Sequence, residues 1–118
     1  DEYGHLVGDI VLKTVASILI QKSRENDLLC RYGGDEFVLV LPQTAQAEAQ
    51  LVAERLRRSV NEHLFYIAKA EFHVAVSIGV ASCLPQDMRD SDIASKLTDR
   101  ADSAMYQAKS GGRNRVVV

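Results

Sequence analysis

Much of what would single out a chemical class is missing from this sequence. Only two cysteines occur, Cys30 and Cys83; they lack CxxC spacing and sit in apolar runs, so they read as reduced, buried thiols in a reducing, cytoplasmic compartment. There is no excess of positive charge. Lys and Arg number 14 against 16 Asp and Glu, a net charge of -2, which leaves no broad positive field for a polymeric phosphate backbone and argues against DNA or RNA as a partner. A small anionic ligand stays open, because a nucleotide needs only a few local donors and a metal. No run approaches the roughly 18 consecutive apolar residues of a spanning helix, and no signal-peptide succession is present, so the domain itself is expected to be soluble, whatever anchors its parent. Nor is there an initiator Met: the chain begins at Asp1, as an excised or cleaved piece would. Repeats, low-complexity tracts and linkers are missing too, and 118 residues at 47% hydrophobic content suit one compact domain, 1–118, with a single core.

What is there is continuous patterning. Leu12, Val15, Ala16 and Leu19 recur at helical spacing between Ile10 and Ile20, with Gly8 and Asp9 as turn and cap before them. Leu28 to Tyr32 and Phe37 to Leu41 are β-prone runs joined by Gly33-Gly34-Asp35-Glu36, a hairpin with glycines supplying positive φ, ended by Pro42. Ala45, Ala49, Val52, Leu56 and Val60 predict a second helix with Thr44 as its N-cap. Residues 72–82 alternate, Val74, Val76, Ile78 and Val80 against Ala75, Ser77, Gly79 and Ala81. That pattern predicts a central strand whose small-residue face lets a helix or a ligand approach closely. Ser91 is placed to cap a last helix carrying Ala94, Leu97, Ala101, Ala104 and Ala108, stopped by Gly111-Gly112, before a final strand Val116 to Val118. The order suits a sheet with helices packed on it, an α/β or α+β fold.

The chemistry concentrates at the first hairpin. Gly33-Gly34-Asp35-Glu36-Phe37 places adjacent carboxylates at a strand-to-strand turn with almost no side-chain bulk ahead of them. Mg²⁺ takes hard oxygen ligands, commonly one or two carboxylates with substrate phosphates and water, and such a turn offers that set. Most turns of this composition are nevertheless plain exposed hairpin turns, so the motif alone leaves both readings open.

The wider sequence separates them. Arg31-Tyr-Gly-Gly-Asp-Glu-Phe-Val-Leu-Val-Leu-Pro42 closely resembles the signature hairpin of the GGDEF family of diguanylate cyclases. Gly4-His5-Leu-Val-Gly8-Asp9-Ile-Val-Leu12 is similar to the family's GHxxGDxxL segment, and Val76-Ser-Ile-Gly-Val-Ala81 to its SxGxA strand. Ala101-Asp-Ser-Ala-Met-Tyr-Gln-Ala-Lys109 with Gly112-Arg-Asn114 is similar to its ADxALYxAKxxGRN end, so the motifs span the chain in the family's order. The resemblance implies a nucleotidyl-cyclase palm-like central sheet flanked by helices, and condensation of two GTP into cyclic di-GMP by an antiparallel homodimer. It also implies Mg²⁺ as cofactor, with Mn²⁺ as an alternative, and regulatory domains in the parent chain.

Carried over residue by residue, the resemblance gives Asp35 the metal and a part in deprotonating the ribose 3′-hydroxyl, Glu36 the place of second acid, and Gly33 and Gly34 a place in substrate binding. Asp9 would contact guanine, and Lys109 and Arg113 the β- and γ-phosphates. From the residues alone Asp9 is equally a helix N-cap, and Lys109 and Arg113 are helix-terminal charges that offset the macrodipole by about 0.3–1 kcal/mol. His5, without a partner, is assigned no catalytic role, and Arg31 either positions the hairpin or meets a ligand. The family's first strand with another metal-binding Asp, a phosphate loop and a guanine-binding Asn would all precede Asp1. The palm sheet is therefore expected to lack its first strand in this chain, and the 118 residues alone to be inactive.

Arg24-Glu-Asn-Asp27 is an RxxD sequence at the offset of the family's product-inhibition site, with Arg55 matching the arginine contributed by the following helix. An arginine fork donates to guanine O6 and N7, and a carboxylate accepts from N1 and N2. The plain alternative is an exposed turn with an i,i+3 ion pair. At the level of function the runner-up is a degenerate domain serving as a cyclic di-GMP receptor, against which the intact Asp35-Glu36 pair argues. A cyclase making cAMP or cGMP is disfavoured by Asp9 and by the hairpin motif.

Overall fold

Helical spacing of Val15, Ile18 and Leu19 is realised in one long helix, α1, Glu2–Lys22, in a computed structural model that describes residues 2–118. It starts well ahead of the expected position. Gly8 and Asp9 lie inside it, so neither acts as a turn or cap; a mid-helix glycine costs about 1 kcal/mol, too little to break a helix that the core holds further along. Its segment Gly4–Lys22, of mean hydropathy 1.3, is long and apolar enough by length and average composition to cross a membrane, although Asp9 and Lys13 interrupt any continuous apolar run. Val15, Ile18 and Leu19 lie in the core beside α2, while only 11% of that segment is buried.

A hairpin follows, β1 Leu28–Gly33 and β2 Glu36–Val40, antiparallel from Leu28↔Val40 to Gly33↔Glu36. Helix α2, Gln46–Glu62, is entered through Ala45 without a side-chain cap, so Thr44 is not its cap: its hydroxyl instead donates to the Pro42 carbonyl at 2.9 Å. A small hairpin, β3 Phe65–Ile67 and β4 Ala70–Phe72, was not legible in the pattern. The segment expected as one long central strand forms a ladder only at β5, Ile78–Gly79, parallel to β6, Val116–Val117. A 3₁₀ turn, Pro85–Arg89, leads to α3, Ile93–Ser110, whose N-cap is Asp92 rather than Ser91.

Among the described residues the strands thus pair as three two-stranded ladders rather than one continuous sheet. Their apolar faces still share one core. Val15, Ile18 and Leu19 of α1 meet Val52, Leu56 and Val60 of α2 and Phe65, with Leu29, Phe37, Leu39, Val74, Val76 and Ile78 packed against them. Burial of such side chains is worth about 1.5–3 kcal/mol each, the main term holding helices on strands. Phe65 stacks on Phe72 with centroids 5.4 Å apart, locking the small hairpin onto that core. The molecule is elongated, 52 × 26 × 24 Å, because the first half of α1 runs past the core with Leu6 and Ile10 exposed; this departs from the compact piece expected.

Small residues let α3 sit close against β5. A Cβ added at Gly79 would run into the Ala101 carbonyl oxygen and the Met105 amide nitrogen, and would lie 3.0 Å from the Ala104 carbonyl carbon. Ala104 and Ala108 are buried on the facing side of the helix, as its spacing predicted. The cysteines differ from expectation: both are free thiols, but Cys30 is exposed and Cys83 half-buried, since Cys30 falls on the uncovered face of β1.

Candidate functional site

Turn geometry at the first hairpin follows from its sequence. The pairing Gly33↔Glu36 leaves Gly34 and Asp35 as the two loop residues, and Gly34 takes φ +50, which glycine adopts without a Cβ penalty. Between Arg31↔Phe37 and Gly33↔Glu36 the register shifts, making Tyr32 the extra residue of a bulge and turning its ring outward, 65% exposed. Arg31 resolves its two readings in favour of positioning: Nε and Nη2 donate to the Gly34 carbonyl at 3.0 and 2.6 Å, fastening the turn from one side. No Cβ at Gly33 or Gly34 would have a neighbour within 4 Å, so the approach to the turn is open.

Asp35 is exposed and Glu36 half-buried, and among the described residues neither side chain has an ion-pair partner. No group of three or more His, Cys, Asp and Glu forms a metal cage among the described residues. Two hard carboxylates beside an open approach are the donor type that would suit Mg²⁺.

The other substrate candidates lie on different elements. Asp9, within α1 and 53% exposed, forms an i,i+4 ion pair with Lys13 at 3.1 Å, so its N-cap reading is overturned and its side chain stays accessible. Lys109 lies in the last turn of α3, half-buried, and Arg113 stands in the following loop at φ +64 with Asn114 at +47. That loop ends the helix through Gly111 N–H to the Gln107 carbonyl at 2.8 Å and Arg113 N–H to the Ala108 carbonyl at 2.9 Å. No hydrogen bond joins Asp9, Lys109 or Arg113 to the hairpin turn among the described residues.

A second group forms at the corner between α1, β1 and α2. Asp27 accepts from the Arg24 backbone N–H at 2.8 Å and lies within 3.5 Å of its guanidinium, with its side chain only 2% exposed. The turn carries the i,i+3 pair of the plain reading, with Arg24, Glu25 and Asn26 exposed and the Asp27 side chain alone covered. Arg24 also reaches Glu48 at 3.1 Å and the Thr44 hydroxyl, while Arg55 donates to the Lys22 carbonyl at 3.2 Å. Arg24 and Asp27 thus meet directly, with Arg24 also held by Glu48 and Thr44, while Arg55 is tied to the end of α1.

Sequence reasoning missed one network. Arg57 forks onto Glu54 at 2.6 and 3.0 Å and donates through Nη1 to Asn114 Oδ1 at 2.9 Å, tying α2 to the loop that carries Arg113. Hydrogen bonding to Arg57 holds the Glu54 carboxyl below its ordinary range, and the same contact raises Arg57. The i,i+3 spacing of Glu54 and Arg57 was visible; the partner 57 residues away carried no sequence signal.

Comparison with known proteins points one way. Residues 1–115 match the family model described as diguanylate cyclase, GGDEF domain. The chain is 42% identical over 118 residues to Diguanylate cyclase A of Treponema denticola and 43% identical over 119 residues to the response regulator PleD of Caulobacter vibrioides. Those alignments take in 100% and 99% of this chain but 31% and 25% of those proteins. Among solved structures, the GGDEF domain of DgcB from Caulobacter crescentus in complex with c-di-GMP superposes with a TM-score of 0.87 at 32% identity, covering 99% of this chain and 67% of that one. Diguanylate cyclase SiaD of Pseudomonas aeruginosa, in complex with its activator SiaC, gives 0.86 at 36%, covering 99% and 43%. Motifs, fold and relatives agree, and the chain belongs to the GGDEF domain family.

Proposed function

We propose that the protein carrying this domain is a diguanylate cyclase, joining two GTP into cyclic di-GMP with release of two pyrophosphates. The observation that carries this reading is the open, Arg31-fastened turn presenting Asp35 and Glu36, within a chain matched by the family over residues 1–115. On this reading Asp35 accepts the proton of the ribose 3′-hydroxyl and Glu36 supports it as second acid. Gly33 and Gly34 let the nucleotide close on the backbone, Asp9 accepts from the guanine edge, and Lys109 and Arg113 neutralise the β- and γ-phosphates. A bound Mg²⁺, or Mn²⁺ in its place, supplies charge neutralisation on the phosphates and a lowered pKa for the attacking hydroxyl.

Each domain holds one GTP, so two must face each other for each hydroxyl to reach the other's α-phosphorus; the twofold symmetry of the product matches an isologous dimer. The Arg24, Asp27 and Arg55 group binds the product and slows turnover. Activity belongs to the longer parent with its regulatory domains, and the 118 residues alone are inactive. The cytoplasm, where GTP is made available and Cys30 and Cys83 stay free, is where the domain works.

Replacing Asp35 or Glu36 by Ala in the full-length parent tests the assignment. Loss of one preorganised electrostatic contact at the reacting centre costs about 10²–10³-fold in kcat. Folding is expected to survive, since an open turn accommodates small side chains. Near-parental cyclic di-GMP production by both variants would remove this mechanism.

A further inference from the structure

The loop between α3 and β6 adopts a conformation that its own residues disfavour. Arg113 and Asn114 stand consecutively in the left-handed region, at φ +64 and +47, a place where Asn is tolerated and Arg is not favoured. Something must hold them. Hydrogen bonds from the helix end fix the Arg113 amide on the Ala108 carbonyl, but they leave Asn114 free to turn. Arg115 Nε donates to the Arg113 carbonyl from within the loop at 3.1 Å, and the tie to the Asn114 side chain comes from α2: Arg57, with 17% of its side chain exposed, reaches Asn114 Oδ1 at 2.9 Å.

Arg57 is itself held in place. Glu54, one turn back, accepts from Nε at 3.0 Å and Nη2 at 2.6 Å, leaving Nη1 aimed at the loop. A bidentate fork of this kind fixes the plane of the guanidinium, which a lysine cannot reproduce. α2 in turn is anchored by Val52, Leu56 and Val60 in the core, so the loop is referenced to the rigid centre of the domain.

We propose that Glu54, Arg57 and Asn114 form a positioning strut that sets the Arg113 loop, and with it the domain's grip on the terminal phosphates of its nucleotide. The proposal rests on the reading of Lys109 and Arg113 as phosphate contacts. Its consequence is selective: breaking the strut weakens binding of a triphosphate and leaves a monophosphate, which does not reach those residues, almost unaffected. A purely structural role would weaken both alike.

The test is equilibrium binding by the full-length parent, with Mg²⁺, of a non-hydrolysable GTP analogue and of GMP. Arg57→Ala is expected to weaken the analogue about tenfold and GMP less than about twofold, with Arg57→Lys failing to restore the parental ratio. Should Arg57→Ala fold poorly, Asn114→Gly serves instead: it keeps the left-handed backbone and the Glu54–Arg57 pair and deletes only the acceptor, and it should give the same selective loss. The Arg57→Ala and Asn114→Gly double variant should lose no more than either single one, since both cut one tie. Equal weakening of both ligands, or no weakening by Asn114→Gly, would overturn the strut. Arg113→Ala separates the two claims: if it shows the selective loss and the strut variants do not, the strut alone fails. If Arg113→Ala leaves the ratio unchanged, the phosphate reading fails and the strut's role falls with it.

Discussion

Replacing Gly79 by Ala should disturb the domain more than any other single methyl added to its strands. The new Cβ would overlap the Ala101 carbonyl oxygen and the Met105 amide nitrogen and touch the Ala104 carbonyl carbon at 3.0 Å, all of them backbone atoms of α3. No rotamer change can relieve that overlap, so the helix has to move off β5, opening the contacts of the buried Ala104 and Ala108. Overpacking a well-filled site costs about 1–3 kcal/mol, and neighbours that are backbone rather than side-chain ends put this case at the upper end, about 3 kcal/mol. With an unfolding entropy of about 2.1 cal/mol/K per residue, 118 residues convert that cost into a fall in Tm of about 12 °C. Scanning calorimetry of the parent, resolving this domain's transition, measures it. A Tm within about 2 °C of the parental value, for which the conversion allows only ~0.5 kcal/mol, would refute the claim that α3 and β5 are in backbone contact.

Other expectations follow from the same structure. Gly8 lies inside α1 with nothing within 4 Å of an added Cβ, so Gly8→Ala should raise domain stability by about 0.5–1 kcal/mol in the same calorimetric assay, and a fall would contradict the continuous helix. Arg24→Ala should weaken cyclic di-GMP binding by about 5- to 150-fold in calorimetry, and Asp27→Asn, which keeps an acceptor for the Arg24 amide, should do the same without unfolding the turn; unchanged product inhibition in both would remove the inhibitory site and leave the catalytic one standing. Glu54 and Asp90 are held below their ordinary 4.5 and 3.8, Glu54 by its hydrogen bond from Arg57 and Asp90 by those from Lys96 and the Asp92 amide. In both, the unfolded state takes up protons first as pH falls, so their stabilisation is present above those ordinary values and is lost on acidification through the folded ones. Denaturant titrations between about pH 6 and 3 should show that loss, and Glu54→Gln should flatten part of it.

Contiguity decided what the sequence revealed. The hairpin could be bounded almost to the residue because Gly33 and Gly34 announce a turn and the flanking runs are short and β-prone. The β3–β4 hairpin escaped because Ala68 and Lys69, at φ +55 and +66, fill a turn that normally advertises itself with Gly or Asn. The start of α1 was misplaced because Gly-Asp looks like a cap, whereas the segment before it simply continues the helix. Residues 72–82 alternate as expected through Val74 and Val76, but alternation reports which face is covered and not which strand supplies hydrogen bonds, so the ladder at Ile78–Gly79 alone could not be foreseen. In the site the turn that carries Asp35 and Glu36 was legible because the pair is contiguous, as was the meeting of Arg24 with Asp27. The tie from Arg57 to Asn114 depends on tertiary packing, which no local pattern records.

Product stoichiometry tests the central claim most directly. Full-length parent protein is incubated with GTP and Mg²⁺, nucleotides are resolved by chromatography and mass spectrometry, and released pyrophosphate is counted. Cyclic di-GMP with two pyrophosphates for each molecule formed is the predicted result. Cyclic GMP with one pyrophosphate each, or bound cyclic di-GMP with no turnover of GTP, would contradict it.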